Sequence, residues 1–193
     1  AAPIVLTLAD GPRDHGRPLG VELVGATELL RADASVSLLL WKKAGATARD
    51  EHLRQALRAF FDHAALALLG EGERARRSVQ LLGDADAPVR VGLAPISPGA
   101  ARAWLTDLVT DLLGGAHDYL FPIEAALAFA ERPHEADGEG LVAAIEDGRA
   151  RGGGQSRWGP VAGADARPAP EPGRAEVIFE RRFAPFFSRL EPR

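Results

Sequence analysis

The stretch VSLLLWKK, residues 36–43, decides how the fold of this chain is interpreted. Apart from Ser37 it is continuously apolar up to Trp41, which is typical of a strand covered on both faces of a sheet. The run ends at Lys42, and Leu40 lies two residues earlier, so both side chains project from the same face of the pleat. The sequence therefore predicts a central strand that presents Leu40 and Lys42 at its end.

The spacing at the end of this strand matches the acid-x-lysine triplet of many metal-dependent nucleases, except that the acid is missing. In such sites, carboxylates on neighbouring strand ends hold Mg²⁺ and a lysine positions or activates the attacking water. Glu28 supplies one carboxylate and Lys42 the lysine, but Leu40 offers no oxygen ligand. With one carboxylate remaining, Mg²⁺ would bind weakly at best, so we expect no catalytic residue, metal or other cofactor in this domain. Lys42 is interpreted as the end of a buried strand that reaches water, its stem lying along apolar surface, and catalysis is the alternative.

The elements around this strand predict a mixed sheet. Two strands precede it, in "PIVLTLAD" and "LGVELVGATELL", and a long helix follows it. The strand pair "RSVQLLG" and "PVRVGLAP" comes next, and the rest of the chain is mainly helical. The order β-β-β-α-β-β followed by helices predicts an α/β (α+β) fold, in which a mixed sheet has flanking helices and a helical C-terminal portion.

The helix after the central strand is predicted from its ends and from its apolar stripe. Thr47 and Asp50 fit a capping box, and Gly70 is a natural stop. His52 and His63 fall outside the apolar stripe and are predicted to be solvated surface residues. The stripe itself recurs at helical spacing and comprises Leu53, Leu57, Phe60, Phe61, Ala64 and Leu68.

The whole chain, residues 1–193, is predicted to be a single nuclease-like domain. Ser97 and Pro98 fit the N-cap and first residue of a second long helix. A segment rich in glycine, proline, alanine and arginine is predicted to be a loop, and Pro185 should kink the last helix. The predicted regions are a sheet-and-helix core at 1–96, a helical portion at 97–151, a loop at 152–174 and a C-terminal helix at 175–191.

Composition excludes several classes of protein. The absence of cysteine excludes a disulfide framework, a thiolate zinc site and an iron–sulfur cluster. A net charge of −4 argues against a broad DNA-binding surface, which is normally basic. No apolar run approaches the ~20 residues needed to span a bilayer. We expect no membrane partner and a cytoplasmic location.

Two surfaces are candidates for binding a partner. The first is a candidate nucleic-acid-binding surface, in which Trp158 stacks on a base and nearby arginines contact phosphates. The alternative is that Trp158 fixes the loop onto the core. The second is an aromatic stripe on the last helix, which either belongs to the core or docks on a partner subunit. The nucleic-acid candidates are Arg149, Arg151, Arg157 and Trp158, and the docking candidates are Phe179, Phe183, Phe186 and Phe187, which with Leu190 follow i, i+4, i+7, i+8, i+11 spacing.

In the order of its segments, the chain resembles the C-terminal domain of the exodeoxyribonuclease V gamma-subunit (RecC) family over almost its whole length. The resemblance rests on ordered apolar pattern and spacing. The stretches that carry it are "VELVGATELL", "DEHLRQALRAFFDHAALALLG", "VRVGLAP", "ISPGAARAWLTDLVTDLLGG", "YLFPIEAALAF", "SRWGPV" and "FERRFAPFF".

This resemblance implies a PD-(D/E)XK nuclease-like fold that has lost catalysis. Position 28 keeps an acid and position 42 keeps lysine, but position 40 carries leucine where an active relative has aspartate or glutamate. The resemblance further implies a domain that assembles with the beta (RecB-like) and alpha (RecD-like) subunits of the helicase–nuclease. In that complex it would guide DNA ends during recombinational repair of double-strand breaks.

Two other classes of function remain open. An active, divergent Mg-dependent PD-(D/E)XK nuclease, AddB-like, would use Glu28 and Lys42 with a further acid such as Glu22 or Asp33. The AddB relative carries a cysteine-held iron–sulfur cluster, and the absence of cysteine here weighs against it. A stand-alone domain that binds a small molecule is the other class, but the sequence shows no convergent set of polar residues for it.

Overall fold

The chain divides by its internal packing into two compact units. Unit 1 comprises Ala1–Thr110 and Ser188–Arg193, and unit 2 comprises Asp111–Phe187. The computed structural model describes residues 4–14, 16–26, 29–30, 36–39, 48–70, 77–82, 89–114, 121, 123–131, 137–151, 155–156, 159–160 and 168–191.

Unit 1 begins with a hairpin that forms a sheet of its own. β1 (Ile4–Asp14) and β2 (Arg17–Leu23) pair antiparallel, and Gly16 precedes β2 with a φ of 80° that favours glycine. Leu6 and Leu8 are fully buried, so alternate residues of β1 face the core. The strand predicted in "LGVELVGATELL" is therefore divided: its first half pairs in this hairpin, whereas Leu29–Leu30 belong to a second sheet.

The second sheet of unit 1 has four strands in sequence order. They are β3 (Leu29–Leu30), β4 (Val36–Leu39), β5 (Arg77–Leu82) and β6 (Val89–Leu93). β4 is antiparallel to β3 and parallel to β5, and β5 is antiparallel to β6. The mixed sheet and the interior position of β4 confirm the two main predictions from the central stretch, and the chain has an α+β fold.

α1 (Ala48–Leu68) is the crossover between the parallel strands β4 and β5. A parallel pair needs such a crossover, because its second strand must begin at the same end as the first. The helix contacts β4, β5 and β6. It ends as predicted, since Gly70 has a φ of 78° and its N–H donates to the carbonyl of Ala67.

The buried face of α1 differs from the predicted stripe. Phe61 was placed on the stripe but is 46% exposed, whereas His63 was placed on the surface but is only 1% exposed. Both predictions are wrong for the same reason: the alanines that define the buried face give a weak hydrophobic signal. The fully or nearly fully buried residues of α1 are Ala56, Ala59, Phe60, His63, Ala64, Leu66 and Ala67.

α2 (Pro98–Leu113) begins where the sequence predicts. The N–H of Ala100 donates to the Oγ of Ser97 at 3.2 Å, which confirms Ser97 as the N-cap. Trp104 is buried, and its ring centroid lies 4.7 Å from that of Phe60. Leu112, in the last turn, is 64% exposed, so the buried stripe does not run the full length of the helix.

Unit 2 is mainly helical, with α4 (Gly138–Arg151) in contact with both α3 (Ile123–Glu131) and α5 (Pro172–Arg182). The predicted loop at 152–174 is wrong in part, since it contains a short antiparallel hairpin and the next helix begins inside it with proline at its first position. Among the described residues, no helix is both long and apolar enough to cross a membrane. The elements are α3 (Ile123–Glu131), α4 (Gly138–Arg151), β7 (Gln155–Ser156), β8 (Gly159–Pro160), α5 (Pro172–Arg182) and α6 (Ala184–Phe187).

The predicted kink near Pro185 is a break between α5 and α6. Phe183 has φ −110° and ψ −40°, and its N–H still donates to the carbonyl of Phe179 at 2.8 Å. Pro185 has no N–H, and its ring would clash with the carbonyl of Arg181 in a continuous helix. The C-terminal helix predicted at 175–191 is therefore two helices that together span 172–187.

Gly138 provides a first testable prediction, because α4 begins against the backbone of Pro172. A Cβ added at Gly138 would lie 2.6 Å from the carbonyl carbon of Pro172 and 3.0 Å from its Cα. Backbone atoms cannot rotate away as a side chain can. We therefore expect Gly138→Ala to lower the free energy of unfolding by about 1–3 kcal/mol, measured by chemical denaturation.

Gly173→Ala is the matched control, since Gly173 lies in the first turn of α5 and nothing lies within 4 Å of an added Cβ. Alanine there restricts the unfolded chain and should stabilise the protein by about 0.4–1 kcal/mol. Equal losses of stability for the two variants would show that the contact with Pro172 is not the cause.

Candidate functional site

The degenerate nuclease positions Glu28, Leu40 and Lys42 lie outside the described residues. The strands next to them are described: Glu28 directly precedes β3 in the chain, and Leu40 directly follows β4. Because β3 and β4 pair antiparallel, the beginning of β3 and the end of β4 lie at the same end of this strand pair. The topology thus brings together the two strand ends to which Glu28 and Leu40 are attached.

The described residues contain no group of three or more histidine, aspartate or glutamate side chains that could hold a metal. Of the two further acids considered for an active nuclease, Glu22 is exposed on β2, in the sheet that does not contain β3 and β4. Asp33 lies outside the described residues. That the domain binds no metal or other cofactor stays a prediction.

The candidate nucleic-acid residues lie on either side of β7. Arg149 and Arg151 are in the last turn of α4, and their side chains are outside the described part of the structure. Arg157 and Trp158 are the two residues between β7 and β8, and they too lie outside the described residues. Contact of these four residues with nucleic acid stays a prediction.

The four candidate docking residues belong to a phenylalanine cluster in unit 2, comprising Phe121, Phe129, Phe179, Phe183, Phe186 and Phe187. Phe179 lies at its centre, with its ring centroid 4.5 Å from that of Phe129 and 5.9 Å from that of Phe187. Phe183 stacks on Phe121 at 5.2 Å. Aromatic pairs at these separations contribute about 0.5–1.5 kcal/mol each beyond the area they bury.

Burial divides the four docking candidates into two pairs. Phe186 is fully buried and Phe179 is 9% exposed, so the chain itself covers both side chains. Phe183 and Phe187 are half-buried. Docking on a partner subunit stays a prediction. Of the four candidates, Phe183 and Phe187 are the two that are partly exposed in this structure.

An ion cluster at the end of α5 was not predicted from the sequence. Arg182 donates from Nε and Nη2 to Oδ2 of Asp111, at 3.0 and 2.9 Å. Arg181 pairs through Nη1 with Oδ1 of the same carboxylate at 3.1 Å. Asp111 is 8% exposed, and its buried charge is therefore matched by two guanidinium groups. The two arginines also oppose the negative end of the α5 dipole.

The most distinctive polar site in unit 1 is a buried histidine–arginine pair, which the sequence analysis missed. His63 Nδ1 lies 3.1 Å from Nη1 of Arg77, and His63 Nε2 lies 3.0 Å from the carbonyl oxygen of Ala94. An arginine can only donate and a carbonyl can only accept. His63 is therefore neutral, with its proton on Nε2, and both ring nitrogens are hydrogen-bonded.

The surroundings of His63 oppose its protonation. Burial lowers the pKa of His63 from the ordinary 6.5 to about 4; the hydrogen bond to Ala94 opposes this shift, while the positive charges of Arg77 and Arg189 add to it. Arg77 is itself 3% exposed and also donates to the backbone carbonyl of His63 at 3.4 Å. The site is thus built around a histidine that must stay uncharged.

A sequence signal for this site does exist. His63 lies three residues after Phe60 and four before Ala67, both on the buried face of α1. Counting Ala67 as well as Ala64 with the large apolar residues would have placed His63 on that face, because positions i, i+3 and i+7 of a helix share one side. The partner Arg77 follows from no local pattern, since it comes from a different strand.

Comparison of the chain with protein-family models, curated proteins and solved structures finds no match. The class of protein is therefore defined by its fold: an α+β chain in which unit 1 contains a hairpin and a mixed four-stranded sheet and unit 2 is mainly helical.

Proposed function

We propose that this chain is a non-catalytic, PD-(D/E)XK nuclease-like domain of a RecC-type gamma subunit of exodeoxyribonuclease V. In this proposal it assembles with the RecB-like beta and RecD-like alpha subunits and guides DNA ends during recombinational repair of double-strand breaks in the cytoplasm. The degenerate triplet at positions 28, 40 and 42 is the observation that carries the proposal.

The sheet topology supports this assignment of the triplet. Metal-dependent cleavage needs carboxylates from neighbouring strand ends, and the antiparallel pairing of β3 with β4 supplies such a pair of ends. Glu28 adjoins one end and Leu40 adjoins the other. With leucine at position 40, only one carboxylate of the expected pair remains. A single carboxylate binds Mg²⁺ too weakly for a mechanism in which two carboxylates hold the metal.

Cleavage assays test the loss of catalysis. We expect the purified protein not to cut linear DNA in the presence of Mg²⁺ or Mn²⁺, because Leu40 provides no ligand to the metal. The measurement is the release of labelled fragments, with an active metal-dependent nuclease assayed in parallel. Cleavage that disappears in Lys42→Ala would establish an active nuclease and contradict the proposal, whereas cleavage retained in that variant would come from a contaminant.

DNA binding tests the guiding role. With a net charge of −4, the protein should bind a forked DNA end weakly and with strong salt dependence. We expect the double variant Arg151→Ala, Arg157→Ala to bind more weakly and to reduce the slope of log K against log salt by about 2, one for each lost phosphate contact. Fluorescence anisotropy over a salt series measures both quantities.

The matched control removes two arginines that the proposal does not place on the DNA. Arg58 and Arg174 are exposed, on α1 and α5. The double variant Arg58→Ala, Arg174→Ala changes the net charge equally and should keep the salt slope of the unaltered protein. Unchanged binding in the Arg151, Arg157 variant at low salt would remove these residues from the proposed DNA path.

A further inference from the structure

The segment that follows α6 belongs to unit 1 and is held against β6 by backbone pairing. The N–H of Ala94 donates to the carbonyl of Arg189 at 2.7 Å, and the N–H of Glu191 donates to the carbonyl of Gly92 at 3.0 Å. Between these two hydrogen bonds, Leu190 lies opposite Leu93 in an antiparallel bridge. Residues 188–191, here called the return segment, therefore pair with the edge of β6.

His63 is joined to the return segment through one residue. The Nε2–H of His63 donates to the carbonyl of Ala94, and the N–H of Ala94 donates to the carbonyl of Arg189. The Arg189 side chain reaches the residue next to Ala94, where its Nη1 donates to the carbonyl of Pro95 at 2.9 Å. The histidine and the segment thus hold the same short stretch of backbone after β6.

We propose that His63 is an acid-sensitive latch: the return segment stays on β6 while the ring is neutral, and it is released when Nδ1 takes a proton and the ring repels Arg189. The proton removes the ring acceptor to which Arg77 donates, because a protonated Nδ1 can only donate. It also places a second positive charge 3.1 Å from the Arg77 guanidinium, inside a site with little access to water.

The charged groups around the ring explain why the return segment is the part that moves. In the described part of the chain, Arg77 of β5 and Arg189 of the return segment act on the ring, and both are cationic. Among the described residues, the ring also meets two uncharged groups, the Ala94 carbonyl and the Phe60 ring of α1 at 5.8 Å. Arg77 and His63 are fixed within a strand and a long helix, whereas Arg189 lies outside any helix or strand, on the segment that meets β6 through the Leu93–Leu190 bridge. Moving that segment removes one positive charge and opens the ring to water.

Amide hydrogen exchange tests the latch. The N–H groups of Ala94 and Glu191 report on the return segment, and those of the β5–β6 ladder report on the sheet. We expect the first two to open at a lower free energy than the ladder, with an opening constant that rises roughly tenfold or more between about pH 7 and about pH 5. Exchange rates are corrected for the intrinsic effect of pH and measured by NMR.

Three variants separate the histidine from other titrating groups. His63→Gln keeps a donor and an acceptor but cannot be protonated, so the pH dependence of the two amides should disappear. His52→Gln, on the same helix, and Glu191→Gln, in the segment itself, should keep it. A pH dependence that survives in His63→Gln would overturn the proposal. So would exchange of Ala94 and Glu191 only together with the β5–β6 ladder, since the segment would then have no separate opening.

Discussion

Phe186→Ala is expected to lower the free energy of unfolding by about 3–5 kcal/mol, the largest effect that we predict for a single substitution. Phe186 is fully buried, and its ring lies 5.1 Å from that of Phe187 in the phenylalanine cluster. Removing the ring loses its transfer free energy and leaves a cavity, because α6 begins directly after the break at Phe183 and cannot easily close the space. Chemical denaturation followed by circular dichroism measures the change.

Val177→Ala is the control for this prediction, since Val177 lies on the neighbouring helix α5 and is 53% exposed. Its replacement should change stability by no more than about 0.5 kcal/mol, as is usual for a surface position. The competing interpretation places Phe186 in a docking surface for the beta subunit. Unchanged stability in Phe186→Ala together with lost binding to that subunit would favour docking and contradict our expectation.

Acid is expected to destabilise the protein through His63, by an amount on the order of 3 kcal/mol between about pH 6.5 and about pH 4. The pKa of His63 is about 4 in the folded protein and has the ordinary value of 6.5 when the ring is exposed. Between these values the unfolded chain binds more protons than the folded one, so the free energy of unfolding falls as pH falls. The stabilisation is complete above pH 6.5 and is lost once the pH is below 4.

Denaturant titrations over this pH range measure the slope of stability against pH. Carboxylates titrate in the same range, so the comparison is between variants rather than between pH values. His63→Gln should show a shallower slope than the unaltered protein, and His52→Gln should show the same slope. An unchanged slope in His63→Gln would mean that His63 is not held neutral by its surroundings.

The boundaries of the principal elements follow from the sequence, because they are fixed by local chemistry. Ser97 caps α2, and Gly70 ends α1 with the positive φ that glycine tolerates. Pro185 separates α5 from α6 because it lacks an N–H. The apolar run at 36–41 likewise predicts the interior strand β4, whose described part is Val36–Leu39. Each of these signals involves residues within one or two turns of each other.

The tertiary structure alone decides which elements pair and which polar groups are buried together. Nothing near β1 and β2 in the sequence shows that they form a sheet of their own, because strand pairing depends on distant partners. His63 and Arg77 are 14 residues apart, and their hydrogen bond exists only because α1 packs on β5. The hydrophobicity pattern of α1 does not reveal the burial of His63, because the alanines on the buried face give a weak signal. The space that His63 occupies is set by the residues that pack opposite it.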